Sequence, residues 1–313
     1  MRGSRGTRSV GSTFRRNTLI GVAAVVVLLV VVDVVLVAMA MARTAPGSFG
    51  TPGPVPTFGR TDTATPSATP DASASAQAAA TASARRLLSA VAGREAWRAS
   101  SATCSDAQVV LEHTVDGGAT WSPVAVGDDV RALWGMRATT AGLSVLEGVG
   151  EGCTQQERTS TDGGATWKDA TPGASGAAIT PAGVRLGSTV VENPCPEPVD
   201  AFAGDRTSVV VCDGQLEWRT RGSAWVDVPL GGVRGIAVDG DTYTLARIGT
   251  SSCDGVQIET MPAMDVSPAT RTTPIGCNDV TTDGPIAIDR VGDTVWMWAG
   301  SDVAVSANGG ATW

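Results

Sequence analysis

The octapeptide Thr114-Val115-Asp116-Gly117-Gly118-Ala119-Thr120-Trp121 recurs almost unchanged as STDGGATW at 160–167 and as SANGGATW at 306–313. A chain that carries one short peptide three times must repeat a local structure. In its first two copies the peptide separates a strand-like run from a shorter one, as in AQVVLEHTVDGGATWSPVAV, which predicts strand, Gly-Gly turn, strand. Asp116, Asp162 or Asn308 can accept hydrogen bonds from the backbone of its own turn. The glycines, Gly118, Gly164 and Gly310 among them, supply positive φ without a steric penalty. The hydroxyl of Thr120, Thr166 or Thr312 can tie the returning chain to the turn, and Trp121, Trp167 or Trp313 offers a large apolar face suited to packing between sheets. Every part of the peptide is consumed in holding a hairpin shut.

The copy at 160–167 resembles the Asp-box, or BNR-repeat, pattern of sialidases and related β-propellers, among them the photosystem II assembly-factor type. The first copy matches with Thr114 leading, and the third departs by carrying Asn308. The resemblance implies that each copy is the turn between the third and fourth strands of a propeller blade, a folding element and not a catalytic one. Spacing agrees: Trp121 and Trp167 are 46 residues apart and Trp167 and Trp313 are 146 apart, room for about three more units, and strand-rich units of this length are the period of a propeller. LEWRTRGSAWVDV keeps Gly222 and Trp225 as a degenerate copy. The expectation is an all-β fold, a β-propeller of five blades with four antiparallel strands each, the blades starting near 86, 128, 199, 232 and 283. The stretch Pro172 to Val199 reads as a long connection between blades. The last sheet either borrows an N-terminal strand or keeps a short edge.

Composition places this domain at 84–313. Residues 1–17 hold five arginines and no acid, and 18–42, TLIGVAAVVVLLVVVDVVLVAMAMA, carry one charge. Twenty-five helical residues at about 1.5 Å each cover roughly 37 Å, enough to cross a bilayer. The arginines in front orient the segment with its N-terminus in the cytoplasm. This reads as an uncleaved single-pass signal anchor; the small residues of AMAMA leave a cleaved signal peptide as the alternative. Asp33, inside the span, is either a tolerated acid or a contact for another helix. Residues 43–83 are Pro, Thr, Ser, Ala and Gly with few bulky side chains, too little apolar surface to offset ordering, and read as a disordered tether. The domain is therefore expected on the extracytoplasmic side of the cell membrane.

All six cysteines fall in this domain. With no C-x-x-C and a single histidine, His113, they read as disulfides in an oxidising space, with no metal and no cofactor implied. On the blade register Cys104, Cys153, Cys212 and Cys253 follow second strands, and Cys195 and Cys277 lie in connections between blades. All six then share the face opposite the octapeptides, with neighbours pairing as Cys104–Cys153, Cys195–Cys212 and Cys253–Cys277, one of the 15 pairings that six cysteines allow. Once Asp33, Asp62, Asp71 and the seven arginines up to Arg60 are set aside, 28 acids face 16 bases. Nucleic acid is excluded as a partner by that balance, since phosphate binding needs a basic surface.

An enzymatic reading has to be assembled from few residues. Sialidases use three arginines, a tyrosine nucleophile and carboxylates, usually after an Arg-Ile-Pro start; that tripeptide is absent, and the sole tyrosine, Tyr243, sits at the start of a second strand on the octapeptide face. Asp129, Asp200 and Asp283 stand near inner-strand starts and are the candidates for two-carboxylate glycoside cleavage. Arg131 and Arg234 share that rim as candidate contacts for an anionic ligand. The expected function is a binding or assembly module for a protein or glycan ligand held on the face opposite the octapeptides, with a glycoside hydrolase as the alternative.

Overall fold

The computed structural model describes residues 85–101, 104 and 109–313, and every regular element among them is a β-strand. No helix among the described residues is long and apolar enough to cross a membrane. The anchor expected at 18–42, with its Asp33, and the tether at 43–83 lie outside the described residues.

Twenty-two strands form six antiparallel sheets, each strand pairing with the next in sequence. Blade 1 contains β1 Arg85–Ala90, β2 Ala96–Ser101, β3 Val109–Thr114 and β4 Ser122–Pro123. Blade 2 contains β5 Val130–Thr139, β6 Gly142–Val149, β7 Thr154–Ser160 and β8 Lys168–Asp169. Blade 3 has only β9 Ala177–Thr180, β10 Gly183–Leu186 and β11 Thr189–Val191. Blade 4 runs β12 Pro198–Ala203, β13 Thr207–Cys212, β14 Gln215–Thr220 and β15 Val226–Val228; blade 5 runs β16 Val233–Asp239, β17 Thr242–Arg247, β18 Val256–Pro262 and β19 Thr273–Asn278. Blade 6 has three strands, β20 Ala287–Val291, β21 Thr294–Ala299 and β22 Asp302–Ser306. The first strands touch in the order β1, β5, β9, β12, β16, β20, and β20 returns to β1, so the sheets close into a six-bladed β-propeller.

Five blades of four strands is therefore corrected to six, two of them three-stranded. The missed blade lies within Pro172 to Val199, read above as a loop. Its strands are four, four and three residues long, too short to display an alternating pattern, and a side chain completes the turn: Thr180 Oγ1 donates to Gly183 O at 2.9 Å and accepts from Ala182 N at 3.2 Å. Ala178 and Val184 are buried there. The last blade begins at Ala287 instead of near 283, and among the described residues no N-terminal strand joins it.

The core is six seams between neighbouring blades. Leu111 and Trp97 of blade 1 meet Leu133 and Leu143 of blade 2; Trp134 and Leu146 meet Ala178; Val184 meets Val210. Val211 and Trp218 meet Tyr243 and Leu245, Ile258 meets Met297, and Trp296 and Trp298 close the ring on Leu88 and Ala96. Middle strands have a seam on both faces, which is why SVVVC in β13 and TVWMWA in β21 are nearly continuous apolar runs instead of alternating ones. Every one of the nine tryptophans belongs to a seam: Trp97 and Trp167, Trp121, Trp296 and Trp298, Trp134, Trp218, Trp225, and Trp313.

The three octapeptides join third to fourth strands in blades 1 and 2 and follow the third strand of blade 6. In the second, Ser160 Oγ donates to Asp162 Oδ1 at 2.8 Å and accepts from Gly164 N at 2.8 Å, while Thr166 donates its N–H to Asp162 Oδ1 at 2.9 Å and its hydroxyl to Oδ2 at 2.5 Å. Thr114, Asp116, Gly118 and Thr120 repeat this arrangement. In the third, Ser306 and the Thr312 N–H act as before, but Asn308 Nδ2 donates to Thr312 Oγ1 at 2.9 Å, so one bond is kept with its direction reversed. The turn also clasps the preceding blade. Gly164 has φ +88°, and a Cβ there would lie 2.2 Å from Val124 of blade 1; at Gly310 it would lie 2.8 Å from Ile258 of blade 5. Trp167 completes the clasp by donating Nε1–H to Ala125 O at 3.0 Å.

Hydrogen bonds from Thr120 and Thr166 hold the Asp116 and Asp162 carboxylates down at about 2. A depressed folded value contributes stability above the ordinary carboxylate range and loses it as pH falls through about 2. Because Asn308 keeps the clasp without a charge, Asp162→Asn is expected to retain most of the melting temperature and to blunt the loss below about pH 4, whereas Asp162→Ala lowers it at every pH. Thermal melts of both variants against wild type check the ordering.

Candidate functional site

The inner strands surround a cavity of about 400 Å³ into which Arg85, Asp200 and Asp289 project their charge. Its wall is laced across the seams by side chains accepting backbone N–H groups. Ser89 Oγ of β1 accepts from Ala138 of β5 at 2.9 Å, Asp200 Oδ2 of β12 from Ile236 of β16 at 2.9 Å, and Asp289 Oδ2 of β20 from Ala90 of β1 at 2.7 Å. Arg85 donates to Trp134 O and Ile179 O at 3.3 and 3.2 Å, joining blade 1 to blades 2 and 3. Both aspartates keep some contact with the lumen but are enclosed by the ring, so desolvation raises both, Asp289 to about 6 with the charge of Asp200 adding to the shift. Desolvation likewise lowers Arg85, with Asp200 opposing.

A second cavity, about 460 Å³, opens where the inner strands begin. Arg85, Arg86 and Arg234 line it together with Asp283, Pro198 and Ile248. Arg86 donates to Pro285 O at 2.8 Å and to Gly300 O, and lies 4.7 Å from the centre of the Trp298 ring. Burial and the neighbouring cation Arg98 push it down. Arg234 reaches Asp213 only at 3.8 Å and remains about one-third exposed, while Asp283 is exposed.

This mouth is on the face of the disulfides. The cysteines are joined as Cys104–Cys153, Cys195–Cys212 and Cys253–Cys277, with Cα separations of 6.0, 6.3 and 5.6 Å. Cys277 differs from its expected place between blades, because the fourth strand of blade 5 extends through it to Asn278. Sequence order had placed Asp129, Asp200 and Asp283 on one rim, and the ring separates them onto blades 2, 4 and 6. Asp129 is exposed ahead of β5 with its carbonyl accepting from Gly150 N at 2.8 Å, Asp200 is inside the channel holding Ile236 N and Ala201 N, and Asp283 is at the second cavity. Arg234 lines the second cavity; Arg131, on β5, is half-buried and lines neither. Arg85, Arg86 and Asp289 were not anticipated. An acid inside the apolar run of IAIDRV was the available signal for Asp289; the two arginines follow directly on the tether and carry no pattern. His113, in β3, stacks on Trp97 at 3.9 Å and meets Glu95 at 3.1 Å.

No family model matches the chain, and no curated protein matches it. Among solved structures it is similar to a GH74 enzyme of Niastella koreensis, 14% identical over 73% of this chain and 46% of that one, with a TM-score of 0.41. It is also similar to YCF48 bound to D1 peptide (17% identity, 72% and 64% covered, TM-score 0.28) and to the sialidase of Trypanosoma rangeli (10%, 69% and 46%, TM-score 0.28). The chain spans about half the length of the GH74 enzyme, 46%, and just under two thirds of YCF48, 64%.

Proposed function

We propose that this chain is a membrane-tethered, extracytoplasmic propeller of the Asp-box type that works as a binding or assembly module, with its ligand on the disulfide face, and that the ligand is a protein. The observation that carries this reading is the mouth cavity lined by Arg86, Arg234 and Asp283 on a face whose loops are stapled by three disulfides. Stapled loops around a charged, partly apolar mouth give a preorganised surface, which lowers the entropy lost on binding. A protein is favoured over a glycan because all nine tryptophans, Tyr243 and Phe202 pack in the seams, which leaves that mouth, among the described residues, without an aromatic platform for a sugar ring. Asp200 lines the inner cavity, Asp283 the mouth cavity and Asp129 neither, so neither cavity holds two of the three candidate acids, which supports binding over a two-carboxylate hydrolysis by these residues.

The test uses the full chain in its membrane. A photocrosslinking side chain at Asp283 is expected to give a discrete protein adduct, and the same group at Val115, exposed within the first octapeptide, is expected to give none. Adducts from Val115 alone would reverse the choice of face. Turnover of fluorogenic glycosides that disappears when Asp129, Asp200 and Asp283 are changed together to Asn would replace the reading with the hydrolase.

A further inference from the structure

We propose that Asn308 is a site of spontaneous deamidation whose aspartate product gives the third octapeptide the form that the first two already carry. Of the chain's four asparagines, Asn17, Asn193, Asn278 and Asn308, only Asn308 is followed by glycine, whose lack of a Cβ leaves its nitrogen free to approach the preceding side chain. Asn308 is exposed, so water reaches it.

The clasp prepares the reaction. Asn308 Oδ1 accepts from Thr312 N at 3.0 Å and from Ser306 Oγ at 2.9 Å. Two donors on one amide oxygen stabilise the negative charge that grows there when a nucleophile adds to Cγ. Nδ2, the nitrogen that must leave, donates to Thr312 Oγ1 at 2.9 Å, which puts a hydroxyl in reach to pass it a proton. One contact opposes the step: Gly309 N donates to Asp293 O at 2.7 Å and has to be released by a local opening of the turn.

Once released, Gly309 N attacks Cγ of Asn308. The N–Cγ bond forms, the Cγ–Nδ2 bond breaks, and ammonia departs with the amide proton of Gly309. Water then opens the five-membered imide. Attack at the former side-chain carbonyl regenerates the normal backbone with an aspartate, and attack at the backbone carbonyl gives isoaspartate, with one methylene added to the main chain. The net change is loss of ammonia and gain of water, and no other reagent is needed. The donors on Oδ1 polarise Cγ and direct water there. The extra methylene would also displace Gly310 from its seat on Ile258, where even a Cβ would come within 2.8 Å. Asp116 and Asp162 show that the product fits, since in the same place each accepts the threonine hydroxyl as well as the N–H.

The experiment holds the full-length protein in mildly alkaline buffer and follows the peptide containing residue 308 by mass spectrometry that separates aspartate from isoaspartate. The same chain, reduced and unfolded in urea, is the reference. Because local opening must come first, the folded protein is expected to convert roughly tenfold more slowly than the unfolded chain and to yield mainly aspartate. The Asn308→Asp variant is expected to fold and to melt no lower than wild type. Isoaspartate as the main product of the folded sample would overturn the proposal. So would an absence of product after roughly a hundredfold longer than the unfolded chain requires, or a variant that melts below wild type.

Discussion

Replacing Glu157 by alanine is expected to cost about 4 kcal/mol, the upper range for a single substitution, because it takes the counter-charge from the largely buried Arg185 and the acceptor from two backbone donors. Glu157, on β7, is 6% exposed and accepts four hydrogen bonds: Gly173 N and Ser175 N at 2.8 Å each, Ser175 Oγ at 2.7 Å and Arg185 Nη2 at 2.6 Å. The first three fix the turn that leads into β9, and the last reaches β10, so one carboxylate organises the entry to blade 3 and grips its middle strand. That blade has little else. Of its apolar side chains, Ala178 and Val184 are the buried ones, and a buried Val contributes about 1.5 to 3 kcal/mol. Glu157→Gln keeps an acceptor but loses the charge and is expected to fall between, at about 2 kcal/mol. Urea denaturation gives both values, and hydrogen exchange is expected to quicken first at 173–191. A loss under about 1 kcal/mol for the alanine variant would show that the blade stands without this staple.

The same blade marks where sequence reading stopped. Blades 1, 2 and 6 announce themselves through Trp121, Trp167 and Trp313, because the octapeptide is local chemistry: the serine, threonine and aspartate bonds that close its turn join residues at most four apart. The degenerate copy in blade 4 was found for a related reason, since Trp225 still fills a seam with Arg219 stacked 4.2 Å above it. Blade 3 has neither tryptophan nor clasp, and its decisive bonds, from Glu157 and Thr180, link a side chain to backbone groups that no periodicity reveals. Blade 5 lacks the clasp too, but its seam with blade 4 is filled by Ala263 and Val266, with Trp218 donating Nε1–H to Ala263 O at 3.1 Å. Its long second and third strands kept it visible. For the site, strand order sufficed to put the cysteines and Arg234 on one face, whereas it did not say that Asp129, Asp200 and Asp283 fall on blades 2, 4 and 6. A rim is a circle, and order along the chain does not say which blades meet across it: Asp200 on blade 4 and Asp289 on blade 6 act on each other over the channel.

The second large effect is one of pH and concerns blade 2. Glu147, on β6, has a side chain only 1% exposed, and its partner Arg158 approaches at 3.5 Å through one nitrogen. In blade 5, by contrast, Arg247 Nη1 meets both oxygens of Glu259, at 3.2 and 3.3 Å. Desolvation dominates at Glu147; Arg158 opposes it, Asp129 adds to it, and the group is pushed up to about 7 from 4.5. A carboxyl raised on folding binds its proton more tightly in the native state. Its contribution to stability is therefore complete below about 4.5 and is lost as pH rises through about 7, a change of about 3 kcal/mol at 1.36 kcal/mol per unit. Glu147→Gln removes the titration and keeps the shape. The two proteins are expected to have similar urea midpoints near pH 4.5, with the variant progressively the more stable toward neutrality. Asp289, raised to about 6, titrates in the same window and in the same sense, but it is present in both proteins and cancels in their difference. Asp116 and Asp162 titrate far below. A difference curve that stays level across this range would mean that Arg158 closes on Glu147 tightly enough to keep it ionised, and Arg158→Met would then be the substitution that unfolds blade 2.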